Sequence, residues 1–173
     1  MATTYELIAS NVLGTAAASV SFTGIPGTHT DLLLVISART STTGHVIENI
    51  GLQFNSSSSG YSWRSVYGLS GSAASESASS QTQLQRLYAT TADCTANTFG
   101  NCEMYVPNYA GAANKSVSIS SVTESNVANG PIIMAAAGLW ANTSAITAIN
   151  LVTVFGANFV SGSSFFLYGI TKA

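Results

Sequence analysis

The chain has 173 residues and a mass of 17.7 kDa, enough for one domain whose core needs neither disulfide nor metal to support it. Only 7% of the residues are charged, against about 25% in an average chain, while 45 are Ser or Thr, so the surface has to be built from hydroxyls and amides. A net charge of −2 with five basic residues, Arg39, Arg64, Arg86, Lys115 and Lys172, excludes a basic nucleic-acid-binding stripe, and no apolar run is long enough to span a membrane.

Met1 to Glu6 lacks the basic and apolar regions of a signal peptide, so a protein made in the cytoplasm is expected. A mean hydropathy of +0.32 with so few charges implies that some apolar face is covered by another chain. Cys94 and Cys102 stand eight apart with no further thiols, too few for a structural zinc site. They read as reduced small hydrophobes, with a hairpin-spanning disulfide as the alternative.

In chain order, Tyr5 to Asn11 alternates Tyr5, Leu7 and Ala9 against Glu6, Ile8 and Ser10, and Ser19 to Thr23 sets Val20 and Phe22 on one face. Pro26 and Gly27 have the residue types of a type II turn before Asp31 to Arg39. The five branched residues Leu32 to Ile36 show no polar alternation, the pattern of a strand covered on both faces. Glu48 to Asn55 places Ile50, Leu52 and Phe54 on one face. Tyr61 to Gly68 sets Tyr61, Trp63, Ser65 and Tyr67 together against Ser62, Arg64 and Val66. Leu69 to Thr82 is low in complexity, rich in Ser and Ala with a single Glu76, and reads as a long surface loop.

Gln83 to Thr91 resumes with Leu84, Arg86 and Tyr88 in one phase, and Asn97 to Pro107 places Gly100, Cys102, Met104 and Val106 on an inner face. In Ser116 to Glu124, Val117 and Ile119 are out of phase with Val122, which predicts a bulge or an edge. Ile132 to Trp140, Ala145 to Phe155 and Ser163 to Thr171 complete about ten strands, with no amphipathic helix. Parallel sheets need crossover connections absent here, so the fold class is all-β: a single domain, residues 1–173, forming an antiparallel two-sheet sandwich, jelly-roll-like, with a closed barrel as the alternative.

The chemistry-bearing residues are sparse. His29 and His45 lie in the turns flanking the long apolar strand and read as solvated turn residues rather than a base beside a nucleophile. The seven acids fall one to a segment, so no carboxylate pair is marked by spacing. No phosphate loop, metal motif or cofactor motif is present, and neither catalysis nor a cofactor is expected. Tyr61, Trp63 and Tyr67 share a strand face that reads first as core or intersubunit contact and second as a stacking platform for sugar rings, and Trp140 reads the same way. Arg39, Arg64 and Arg86, isolated among uncharged residues, are expected to pair with a scarce acid or to anchor a subunit interface.

Several segments resemble small virion proteins of tailed bacteriophages. They are Leu7-Ile8-Ala9-Ser10 with Leu13-Gly14, Val20-Ser21-Phe22, Ile25-Pro26-Gly27-Thr28 before Asp31 to Val35, Leu52-Gln53-Phe54-Asn55, Val106 to Gly111 with Asn114-Lys115-Ser116, and Phe166 to Ile170. The resemblance spans most of the chain and consists of scaffold motifs. It implies a jelly-roll-like virion protein acting as a homo-oligomer, a trimer, and fits a capsid decoration or cement protein bound to major capsid subunits; a tail-associated glycan-binding module is the alternative. In such an assembly the outer face of Leu32 to Ile36 is covered either by the 69–81 region or by another subunit, and the subunit is the favoured cover.

Overall fold

The computed structural model describes residues 4–128 and 130–171. Met1, at the head of the leader reading, and Lys172, in the tally of basic residues, lie outside them. Twelve strands form: β1 (Tyr5–Val12), β2 (Ser19–Thr23), β3 (Asp31–Ala38), β4 (Glu48–Phe54), β5 (Tyr61–Leu69) and β6 (Ser72–Gln81), then β7 (Leu84–Ala89), β8 (Gly100–Pro107), β9 (Lys115–Thr123), β10 (Ile132–Trp140), β11 (Ala148–Thr153) and β12 (Ser164–Ile170). All strand pairs are antiparallel, in an eight-stranded sheet β1-β12-β3-β8-β9-β10-β5-β6 and a four-stranded sheet β2-β11-β4-β7.

The topology resolves into a jelly roll. Eight strands alternate between the sheets to give β1-β12-β3-β8 facing β2-β11-β4-β7, and the pairs β5–β6 and β9–β10 are inserted so as to widen one sheet only. Leu32, Leu34 and Ile36 of β3 meet Ile50, Leu52, Phe54, Ile149 and Leu151 of the smaller sheet in a continuous buried core. Gly100 marks a close approach of the two sheets: a Cβ there would lie 2.9 Å from the Tyr88 carbonyl oxygen, so a glycine lets β7 settle against β8.

Four expectations are corrected. The Ser/Ala stretch assigned to a loop is the edge strand β6, paired with β5 from Leu69↔Ser72 onward, which raises the count to twelve. Ser70 (φ 51°) and Gly71 (φ 78°) make the two-residue turn with positive φ at both positions that matches the twist of a hairpin. β9 is neither bulged nor an edge: Ser121 points inward, where its hydroxyl accepts the Tyr88 amide at 2.9 Å, so Val122 keeps its regular place outside. Gly27 has no positive φ, so the turn at Pro26 is not type II; the left-handed residue is Gly24 (φ 67°). Finally, the strict phase of β7 breaks at a bulge opposite Ile50 and Leu52, where Arg86 takes φ 107°.

In β3, Leu32, Leu34 and Ile36 are fully buried while Leu33 and Val35 are only half-covered on the outer face. The 69–81 region cannot cover that face, since β6 forms the far edge of the same sheet.

Candidate interaction interface

Most of the residues singled out in the sequence belong to the interior. Tyr61 and Trp140 are fully buried and stack at 6.2 Å, with Phe54 5.6 Å from Trp140. The Tyr61 hydroxyl accepts the Phe54 amide at 2.8 Å, and burial pushes its pKa up to about 12. Trp63 is also buried and lies beneath the Arg86 guanidinium, 3.5 Å from its ring centroid. These three aromatics therefore carry the core reading, and the ligand-facing expectation is corrected for them: facing the smaller sheet, they offer no ring to a sugar.

Arg86 fulfils the expected pairing with an acid. Its guanidinium meets Glu76 of β6 at 2.8 Å and donates to the Tyr88 hydroxyl at 2.7 Å, while the Tyr67 hydroxyl donates to the other Glu76 oxygen at 3.0 Å. That bond to the carboxylate raises the Tyr67 pKa, and burial raises that of Tyr88. The cluster Trp63–Arg86–Glu76–Tyr67 clasps the β5–β6 hairpin to β7. Arg39 pairs with no acid among the described residues; it donates to the carbonyls of Ala92, Cys94, Thr95 and Thr98 and so shapes that loop. Arg64 projects outward from β5 and takes part in no hydrogen bond or ion pair among the described residues.

The titratable groups are dispersed and mostly committed to backbone. His29 shares a hydrogen bond with Thr171 at one end of β3, and His45 stacks on Phe155 at the other. Glu48 is buried and accepts the Thr42 hydroxyl and the amides of Val154 and Phe155; Asp93 accepts the Gly44 amide. Cys94 and Cys102 are buried and unbridged, and burial pushes the Cys102 thiol up to about 11. Among the described residues no group of three His, Cys, Asp or Glu could hold a metal ion.

The feature that sequence reading anticipated only at β3 is the outer face of the eight-stranded sheet. Strand registers arrange its middle in three ladders, with Tyr5, Ile170 and Asp31 in a further row at one end. One runs Leu7, Tyr168, Leu33, Tyr105, Ser118, Ala137, Arg64 and Ser77. The next runs Ser10, Phe166, Val35, Glu103, Ser120, Ala135, Val66 and Ser75, and the third Val12, Ser164, Ser37, Asn101, Val122, Ile133, Gly68 and Ala73. Of eight large apolar side chains exposed among the described residues, seven lie here: Tyr5, Leu7, Val12, Val66 and Ile133 at 51–64% exposure, Tyr105 and Val122 at 36–39%. The ionisable side chains in these ladders beyond the tyrosines are Arg64 and Glu103, and Asp31 at the rim is taken up by the Tyr105 hydroxyl and the Asn108 amide. Large apolar side chains exposed together on one face are a common feature of interaction surfaces.

No family model matches the chain, and no curated protein matches it. Among solved structures it is similar to the CBM2 module of the evolved Dit of Lactobacillus casei BL23 phage J-1, with 13% identity over 95% of this chain and 76% of that one at a TM-score of 0.26. A score that low carries no argument for function.

Proposed function

We propose that this chain is a non-enzymatic structural protein of a tailed-phage virion, held in the particle through the outer face of its eight-stranded sheet. The observation that carries the reading is the gathering of seven of the eight exposed large apolar side chains on that one face. Burying them at about 25 cal/mol per Å² yields binding energy without any reaction. The resemblance of the scaffold motifs to small phage virion proteins supplies the particle, and capsid decoration, through contacts with major capsid subunits or further copies of the chain, is its finer form. Imaging virions assembled with wild-type protein or with Ile133→Glu tests it. Density on the shell that disappears with the substitution is expected; wild-type particles without such density refute capsid decoration.

A tail-associated glycan-binding module is the second reading, and one observation favours it. Tyr5, Tyr168, Phe166 and Tyr105 line one end of the outer face, Phe166 and Tyr168 stacked at 6.5 Å and the Tyr105 hydroxyl bonded to Asp31 at 2.7 Å. An aromatic strip beside a carboxylate is chemistry suited to a sugar ring. Glycan-array binding that Tyr168→Ala abolishes would support this reading over capsid attachment.

A further inference from the structure

We infer that the occupant of the outer face is a second copy of this chain, packed sheet on sheet about a two-fold axis, with Arg64 of each subunit paired to Glu103 of the other. The inference rests on the reading of this face as an interface and names its partner. Its starting point is the pair of unpartnered charges. Arg64 and Glu103 are exposed, of opposite sign, and free of any hydrogen bond or ion pair among the described residues. They cannot meet within one chain: β8 and β5 are three strand spacings apart, and the residues sit in adjacent ladders. Sheet geometry then separates them by about 16 Å.

A two-fold axis lying in the plane of contact and bisecting the line between them exchanges the two positions. Arg64 then faces Glu103 of the partner subunit, and both charge pairs form at once, as an isologous contact requires. The point midway between the two residues falls among Ser118, Ser120, Ala135 and Ala137, side chains short enough for two sheets to close to about 10 Å. Around this centre the larger apolar groups Val66, Val122, Ile133 and Tyr105 form the flanks, and both charges stay near the middle, where desolvation makes a matched pair specific. The axis falls between β9 and β10, three strands from the β6 edge, so the partner covers six strands of about eight residues, a footprint of about 750 Å² per copy, close to the ~800 Å² per partner of a stable interface. The trimer implied by the sequence resemblance would need two different patches, whereas these opposed charges make a single face complementary to itself.

Sedimentation equilibrium on the purified full chain tests the proposal. A mass of twice 17.7 kDa is expected for the wild type. Arg64→Glu and Glu103→Arg should each weaken self-association by ten-fold or more, and the double exchange should restore it to within a few-fold. Both side chains are exposed and bond to nothing among the described residues of their own subunit, so unchanged thermal unfolding of diluted monomer shows that each variant folds. A wild-type monomer, a trimer, or a double exchange that fails to restore association overturns the proposal. If the wild type is monomeric while Ile133→Glu still abolishes incorporation into virions, the self-partner is wrong and the interface reading stands. If Ile133→Glu alters neither association nor incorporation, the interface reading falls as well.

Discussion

Replacing Glu76 by Ala should open the β5–β6 hairpin without unfolding the sandwich. β6 consists of Ser and Ala around this one charge and buries almost nothing, so apart from its ladder to β5 it is held by the Glu76 carboxylate. The carboxylate makes two contacts, to Arg86 at 2.8 Å and from the Tyr67 hydroxyl at 3.0 Å. With Glu76 45% exposed, the ion pair is screened and contributes only about 0.5–1 kcal/mol, and the equally solvent-screened bond from the Tyr67 hydroxyl to the carboxylate adds about 1 kcal/mol. The sum, about 2 kcal/mol, corresponds to a roughly 30-fold larger open population. Native-state hydrogen exchange should show β6 amides exchanging about that much faster in the variant, while amides of β3 and β12 keep their protection. Equal acceleration across all strands would mean that the clasp belongs to the global fold. No acceleration would mean that the ladder alone holds the edge, and either result refutes the assignment.

Four further outcomes follow from the same contacts. Leu34→Ala should cost about 2–5 kcal/mol in denaturant unfolding and Leu33→Ala about 1 kcal/mol, because Leu34 is wholly buried and Leu33 half-covered; equal costs would contradict the one-sided core. Lys115 is buried with its amine donating to the carbonyls of Gly111, Ala113 and Thr143, so Lys115→Met should cost about 3 kcal/mol and lower Tm by about 6–12 °C. Burial holds that amine below 10.5 in the folded chain, so the unfolded chain binds the proton more readily and this group's contribution rises as pH climbs from the folded-state value through 10.5; the wild-type minus Lys115→Met difference in stability should grow over that window. In alkaline titration by ultraviolet absorbance, Tyr61 should ionise only near pH 12, and Tyr61→Phe should remove that late step at a cost of about 1–2 kcal/mol. Trp63 and Trp140 should fluoresce from an apolar environment, resist iodide quenching, and stay unchanged on addition of any sugar, since neither ring reaches the surface.

The parts of the fold that could be read from the chain are those where side-chain period and burial coincide. Ile50, Leu52 and Phe54, or Gly100 to Val106, show inward faces because every second residue is apolar and every other one polar. β6 lacks that signal, since Ser and Ala fit either face and its burial is negligible; the remaining clue was local, the Ser70-Gly71 dipeptide that closes the hairpin. Arg86 and Glu76 were each visible as isolated charges, but their meeting depends on β7 crossing over β5, which period alone does not encode. The aromatic residues kept a second reading open for a related reason: two-residue spacing shows that Tyr61, Trp63 and Tyr67 share a face without telling which face is covered.

The unbroken apolar run of β3 ties these limits to the function. A strand whose outer residues met only water would gain nothing from Leu33 and Val35, and a Ser or Thr at either place would serve the monomer as well. Their neighbours across the ladders, Leu7 and Tyr168 beside Leu33 and Phe166 beside Val35, are apolar too, so the pattern extends over three strands and is not an accident of one. On the other half of the same face the bulk gives way to Ser118, Ser120, Ala135 and Ala137 between two unpaired charges of opposite sign. Bulky flanks around a shallow centre with matched charges describe a surface shaped for another sheet. In the isolated chain Leu33 and Val35 are only half-covered, and the second subunit proposed for this face accounts for the burial that their sequence implies.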